Sequence, residues 1–121
     1  MSREFSSYIS AKRYEKDLKL KDVASKTGMS VSYISDIFKG RRLPPAPERL
    51  DLFAKSMCLD KNEREEMFDL AAKERGVVSC DLAGYIMDES LPTLRKVLRR
   101  AKKQNFKDTF WKEVGALISS R

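Results

Sequence analysis

Residues 20–40 read Leu20-Lys-Asp-Val-Ala-Ser-Lys-Thr-Gly-Met-Ser-Val-Ser-Tyr-Ile-Ser-Asp-Ile-Phe-Lys-Gly40. The stretch holds two apolar sets at helical spacing: Leu20, Val23 and Ala24, then Val31, Ile34 and Ile37. Between them, Gly28 can take the left-handed conformation that ends a helix without a Cβ penalty. Ser30 stands where its hydroxyl can accept from a free backbone N–H of the second helix. Gly40 closes that helix. Two short helices joined by a tight turn make the helix-turn-helix pattern. An αα-hairpin that packs without touching nucleic acid is the competing reading.

The wider pattern Leu18-x-Leu20-x-x-Val23-Ala24-x-x-x-Gly28-x-Ser30-x-x-Tyr33-Ile34-Ser35-x-Ile37-x-x-Gly40-Arg41-Arg42-x-Pro44 resembles the phage repressor and Cro (XRE-type) DNA-binding family. Ala24, Gly28, Ile34 and Gly40 carry the likeness, which runs from about Phe5 to Leu59. The resemblance implies double-stranded DNA as partner, with the second helix of the pair in the major groove. Ser30, Val31, Ser32, Tyr33, Ser35 and Asp36 are then the candidates for base readout. The family's usual glutamines, which bond adenine bidentately, are missing here. Ser32 can donate or accept to several bases, Val31 can touch a thymine methyl, and Tyr33 can reach a base or a phosphate. Readout should therefore lean on apolar contact and duplex shape. Pure capping is the competing reading of Ser30.

Relatives often hold a phosphate with a glutamine at the start of the first helix of the pair, where this chain has Leu20. Lys19 or Lys21 can take over, helped by the free N–H groups of that helix end. Lys39, Arg41 and Arg42 follow the second helix and make a phosphate clamp, unless they are only a solvated basic loop. Many relatives also pair an arginine of the first helix of the domain with a glutamate late in the reading helix. Arg13 matches the arginine, but Phe38 replaces the acid. We expect Phe38 to pack inward against the first helix; facing a partner is the alternative.

Composition bounds the rest. With 121 residues the chain is one compact domain, or a small domain with an extension. Its 41% hydrophobic content can build a core. The net charge of +7 and the pI of about 9.5 favour polyanionic partners, although solubility alone would also be served. With no histidine, a Ser-His or Cys-His pair cannot form, and the dispersed glycines make no nucleotide loop. We expect no enzyme, no metal site and no cofactor. Cys58 and Cys80 make no C-x-x-C pair. A long-range disulfide is one option; reduced, partly buried thiols fit a cytosolic protein better. Without an apolar run of signal-peptide or membrane-span length, the expected location is the cytoplasm, with no membrane partner.

Helical patterns cover the whole chain. The first runs from about Arg3 to Lys16, with Phe5 and Ile9 inward and Tyr8 and Ala11 beside them. Pro44, Pro45 and Pro47 hold the following loop extended, and Pro47 starts a helix presenting Leu50, Phe53, Ala54 and Met57. Asp60-Lys-Asn-Glu63 is a capping-box signal for a helix that ends at Gly76 with Met67, Leu70 and Ala71 inward. Three further helices follow: Cys80 to Met87, a helix begun by Pro92 with Leu94, Val97, Leu98 and Ala101 on one face, and about Asp108 to Ser119. No stretch alternates with the period of a strand.

The fold expected is all-α: a five-helix lambda-repressor-like helix-turn-helix domain over residues 1–76, then a three-helix C-terminal extension over residues 77–121. That extension resembles, more loosely, tails behind repressor-like domains of some bacterial regulators. They share its Asp81-Leu-Ala-x-Tyr-Ile86 segment, its Leu94-Arg-x-x-Leu-Arg-x-Ala101 helix and its Trp111-containing helix. Its large side chains need cover, so we expect it to dock on the helix ending at Arg75 and to supply a homodimer contact through Phe110, Trp111, Val114 and Leu117, with Trp111 as buried anchor. Arg95 to Lys107 is uninterrupted by any acid; its basic face suits flanking DNA, an acidic partner or plain solvent. The function expected is a sequence-specific transcriptional regulator, a repressor acting as a dimer on a palindromic operator. The alternative is an antitoxin that binds a toxin or other regulator and represses its own operon. A head that has lost DNA contact is a third class.

Overall fold

The structure, a computed structural model, describes residues 3–121, and all of its regular elements are helices: α1 (Glu4–Glu15), α2 (Leu20–Thr27), α3 (Val31–Phe38), α4 (Pro47–Ser56), α5 (Lys61–Arg75), α6 (Cys80–Ile86), α7 (Pro92–Lys103) and α8 (Asp108–Ser119). The expected boundaries and end signals hold. Ser30 caps α3, and Pro47 opens α4. Asp60 and Glu63 form a reciprocal capping box at α5, with Glu63 N–H donating to Asp60 Oδ1 at 2.8 Å and Asp60 N–H donating to Glu63 Oε1 at 3.0 Å.

By its contacts the chain divides into two compact units, the first ending at Ala83 and the second running from Gly84 to Arg121; the division falls inside α6. In the first unit, α1 packs on α3 and α5, α2 on α3 and α4, and α4 on α5. Phe5 and Ile9 from α1, Val23 and Ala24 from α2, Ile34, Ile37 and Phe38 from α3, Leu50, Phe53 and Ala54 from α4, and Met67, Phe68 and Ala71 from α5 form one core. Phe53 is its hub, with ring centroids 6.3 Å from Phe5 and 5.7 Å from Phe38. Leu70 and Leu20 pack at the margin of this core.

Val31, a candidate for base contact, stands 51% exposed, while Ile34, Ile37 and Phe38 are buried. One expectation at the core edge is corrected: Ala11 is exposed, since Phe5, Ser6 and Ile9 already define the buried face of α1. The cysteines differ as well. Cys58 and Cys80 are free, as expected, but both are exposed rather than partly buried. Cys58 lies at φ 56°, just past α4, where the turn points its side chain outward.

That turn is one instance of a recurring closure. After α3, Gly40 N–H donates to Ile37 O (3.2 Å) and Arg41 N–H to Asp36 O (2.9 Å), the paired bonds of a Schellman motif. Gly40 has φ 72°, and a Cβ there would meet Ser6 Oγ at 2.8 Å, so both conformation and space require glycine. α1, α4 and α7 close with the same bonds on Asp17, Cys58 and Asn105, each at positive φ without being glycine.

Polar contacts join α1 to the start and end of α5. Lys12 and Lys16 ammonium groups lie 3.3 and 3.0 Å from the Glu63 carboxylate, and Lys73 lies 3.1 Å from Glu4. Phe5 N–H, free at the start of α1, donates to Glu74 Oε1 at 3.2 Å. The Asp60 N–H bond, followed by the Lys16 and Lys12 contacts, lowers the Glu63 pKa from 4.5 to about 2.

In the second unit, Ala101 is the one buried residue among those described. Phe106 stacks on Phe110 at 4.3 Å, and Trp111 meets Phe110 edge-on at 5.0 Å. Arg95 fastens the turn before α7 by donating to Ile86 O (2.9 Å) and Asp88 O (2.7 Å).

Two outcomes are expected. Ile34, with no exposed surface, should cost about 2–5 kcal/mol on change to Ala, read as a lower denaturant midpoint at constant slope. Glu63 is depressed, so the stability it contributes is complete above its ordinary 4.5 and is lost as the pH falls toward 2. Thermal midpoints measured from pH 7 to pH 2 should therefore drop less steeply through that window in Glu63→Gln than in the parent chain.

Candidate nucleic-acid interface

The turn between α2 and α3 is fixed by short side chains. Thr27 Oγ1 donates to Val23 O at 2.8 Å and accepts from Met29 N–H at 3.3 Å. Gly28 sits at φ 71°, Met29 is buried, and Ser30 Oγ accepts from Tyr33 N–H at 3.1 Å. Each contact removes a way for α3 to rotate or slide against α2. The opposite end of α3 is held from α1: Ser10 Oγ donates to Phe38 O at 3.0 Å. Phe38 packs inward, against Phe53 and beneath the Arg13 guanidinium, which lies 5.3 Å from its ring centroid. Arg13 also donates to Leu18 O at 3.0 Å. An arginine over an aromatic face thus joins α1 to α3 without a partner acid.

With Ile34, Ile37 and Phe38 turned to the core, α3 presents the rest of its surface outward. Val31, Ser32 and Ser30 are exposed, while Tyr33, Ser35 and Asp36 are half-buried. These are the six residues expected to read bases, brought together on one short helix and its cap. Ser30 has its hydroxyl oxygen engaged as acceptor; its O–H remains able to donate. The outward surface is made of small hydroxyls, one branched apolar side chain and one phenol. None of them offers the bidentate amide geometry that selects adenine.

The basic residues separate into two groups. Lys19, Lys21 and Lys39 are exposed, with no ion pair among the described residues. Arg41 and Arg42 fold back on α3. Asp36 Oδ2 accepts from Arg42 Nε at 3.3 Å, and Asp36 Oδ1 lies 3.7 Å from Arg41 Nη1. Arg42 also lies over the Tyr33 ring at 5.3 Å. Asp36 is therefore joined to the two arginines of the loop, an arrangement the sequence reading missed. The signal was there: an acid late in α3, with Gly40 turning the chain back toward it.

This arrangement can do two things chemically. The free lysines can attract phosphates without first breaking a contact. Arg41 and Arg42, largely exposed, can exchange one Asp36 carboxylate for phosphate oxygens at small cost, because exposed ion pairs are weak. Among the described residues no group of three or more acidic or cysteine side chains is placed to hold a metal ion. No described helix is long and apolar enough to cross a membrane. Of the expected dimer residues, Phe110, Trp111 and Val114 are half-buried and Leu117 is 66% exposed.

Residues 9–57 match the family model for helix-turn-helix domains. The match covers α2, α3 and most of the core that positions them. No curated protein and no solved structure matches the chain. Over residues 9–57 the chain is thus similar to helix-turn-helix domains, which are DNA-binding modules of transcription regulators.

Removing the Asp36 charge should leave α3 folded and release both arginines. Asp36→Asn is expected to bind random-sequence duplex DNA several-fold more tightly at low salt, by fluorescence anisotropy. Weaker binding would mean that the Asp36 contacts hold Arg41 and Arg42 in their working positions.

Proposed function

We propose that this helix-turn-helix domain makes the chain a transcriptional repressor that binds a palindromic operator as a dimer. α3 enters the major groove with Ser30, Val31, Ser32, Tyr33 and Ser35 toward the bases. Lys19, Lys21, Lys39, Arg41 and Arg42 hold the phosphates on either side, Arg41 and Arg42 after leaving Asp36. The observation that carries this reading is the one-sided burial of α3: its apolar residues are all spent on the core except Val31, and its outward surface is short and polar enough to approach base edges.

One head reads few base pairs, and half-sites one turn apart need a two-fold pair of heads. The extension beyond the helix-turn-helix domain is our candidate for the contact between copies. Leu117 and Ile118 are 66% and 69% exposed, and Phe110, Trp111 and Val114 are half-buried beside them. Apolar area of this kind favours cover by protein. A different protein, such as the toxin partner of an antitoxin, could provide it instead.

Selection of bound duplexes from a random pool by the full chain should return a two-fold symmetric consensus. Its half-site centres should lie about 10 base pairs, or a multiple of that, apart. An asymmetric consensus, or none, would overturn the dimer reading. Sedimentation of a chain shortened after Ala83 should show a monomer where the full chain is a dimer; a shortened chain that still dimerises would assign the tail to another partner. Changing Arg41 and Arg42 together to Ala should weaken binding to all duplexes alike and flatten the salt dependence by about one unit per lost contact.

A further inference from the structure

The charge of the chain is unevenly placed. Residues from Gly84 onward include nine Lys and Arg against four Asp and Glu, so this stretch holds five of the seven net positive charges. The unit with the helix-turn-helix domain holds only the other two. Its cations are also heavily engaged: Lys12 and Lys16 with Glu63, Lys55 and Arg64 with Asp51, Arg41 and Arg42 with Asp36, and Lys73 with Glu4.

α7 is different. Lys96, Arg99, Arg100, Lys102 and Lys103 are all exposed, and none makes an ion pair among the described residues. Lys96, Arg99, Arg100 and Lys103 follow the i, i+3, i+4, i+7 spacing of one helical face. The opposite face carries Leu94, Leu98 and Ala101, the more covered side of the helix. Arg95 is held by the Ile86 and Asp88 carbonyls, which fixes the turn from which α7 starts. The result is a rigid cationic stripe on an ordered helix. From Lys96 to Lys103 it is about 10 Å long at about 1.5 Å per residue. That length spans about three phosphates at about 3.4 Å of rise per strand.

We propose that the face of α7 made by Lys96, Arg99, Arg100 and Lys103 is a second DNA-binding surface, which grips the duplex backbone without regard to sequence. The proposal rests on the DNA-binding reading of the helix-turn-helix domain and goes beyond it. Three observations favour duplex phosphate over an acidic protein. The stripe has no acid within it to orient a partner. Lysine, a residue depleted at protein interfaces, supplies half of it. The same chain carries a DNA-binding head, which keeps DNA near α7 at high effective concentration. Its role is affinity: a head that reads with serines, one valine and one tyrosine gains little from bidentate base contacts, and backbone contacts outside the reading helix make up the deficit.

The test uses the full chain with Lys96→Gln, Arg99→Gln, Arg100→Gln and Lys103→Gln together, titrated with a random-sequence duplex at a series of salt concentrations. The proposal expects a salt slope shallower than the parent's by about two to three units, at about 0.9 per lost phosphate contact. The double variant Lys96→Gln/Lys103→Gln should lose about half as much, and Lys96→Arg/Lys103→Arg should keep the parent slope. Circular dichroism on each variant checks that the helices remain, and the double variant carries the test if the fourfold one does not fold. A slope unchanged by the substitutions, with parent binding intact, overturns the proposal and leaves the helix-turn-helix reading standing. A variant that keeps its DNA slope but no longer binds polyglutamate assigns the face to an acidic protein and overturns it as well. A parent chain that binds no duplex at all overturns the DNA reading itself, and the proposal with it.

Discussion

An eight-residue helix does not hold itself together in water, and α3 is an eight-residue helix. Its existence and its orientation depend on burying Ile34, Ile37 and Phe38. The other helices of the first unit supply what that burial needs. α2 sets the turn, α1 bonds the C-terminal end through Ser10 and stacks Arg13 on Phe38, and α4 places Phe53 against the Phe38 ring. α5 closes the far side against α1 through Glu63, Lys12 and Lys16. Because three residues of α3 are committed to the core, the helix has one way to face outward. The residues it shows there are decided by packing before any DNA is present.

The parts of this fold that were legible in the sequence are those with local causes. Ser30, Asp60 with Glu63, Pro47, Gly40 and Gly76 mark helix ends through their own hydrogen-bonding or conformational limits, and the structure places helix ends at each of them. The core stripe of α4 was legible because four residues repeat at the helical period. What was not legible depends on where a side chain turns after the chain has folded back. Asp36 reaching Arg41 and Arg42 requires the Gly40 turn to set its direction. Closures on Asp17, Cys58 and Asn105 lack the glycine that would have announced them.

The candidate site shows the same division. That residues 30–36 share a surface follows from the helix itself. How much charge stands next to that surface does not, because ion pairing within the first unit neutralises many of its cations. The replacement of an acid by Phe38 has a related consequence. Arg13 interacts with an aromatic face rather than a carboxylate, so the contact between α1 and α3 should depend less on salt than an ion pair would.

The central claim is that the outward surface of α3, and not another part of the first unit, meets DNA. Backbone amide shifts of the isotopically labelled full chain, followed by NMR as a duplex selected from a random pool is added, test it most directly. The largest changes are expected at Ser30 to Asp36 and at Lys39 to Arg42, with the amides in the middle of α1 and α5 nearly still. Changes centred on α1 and α5, with α3 unmoved, would contradict it.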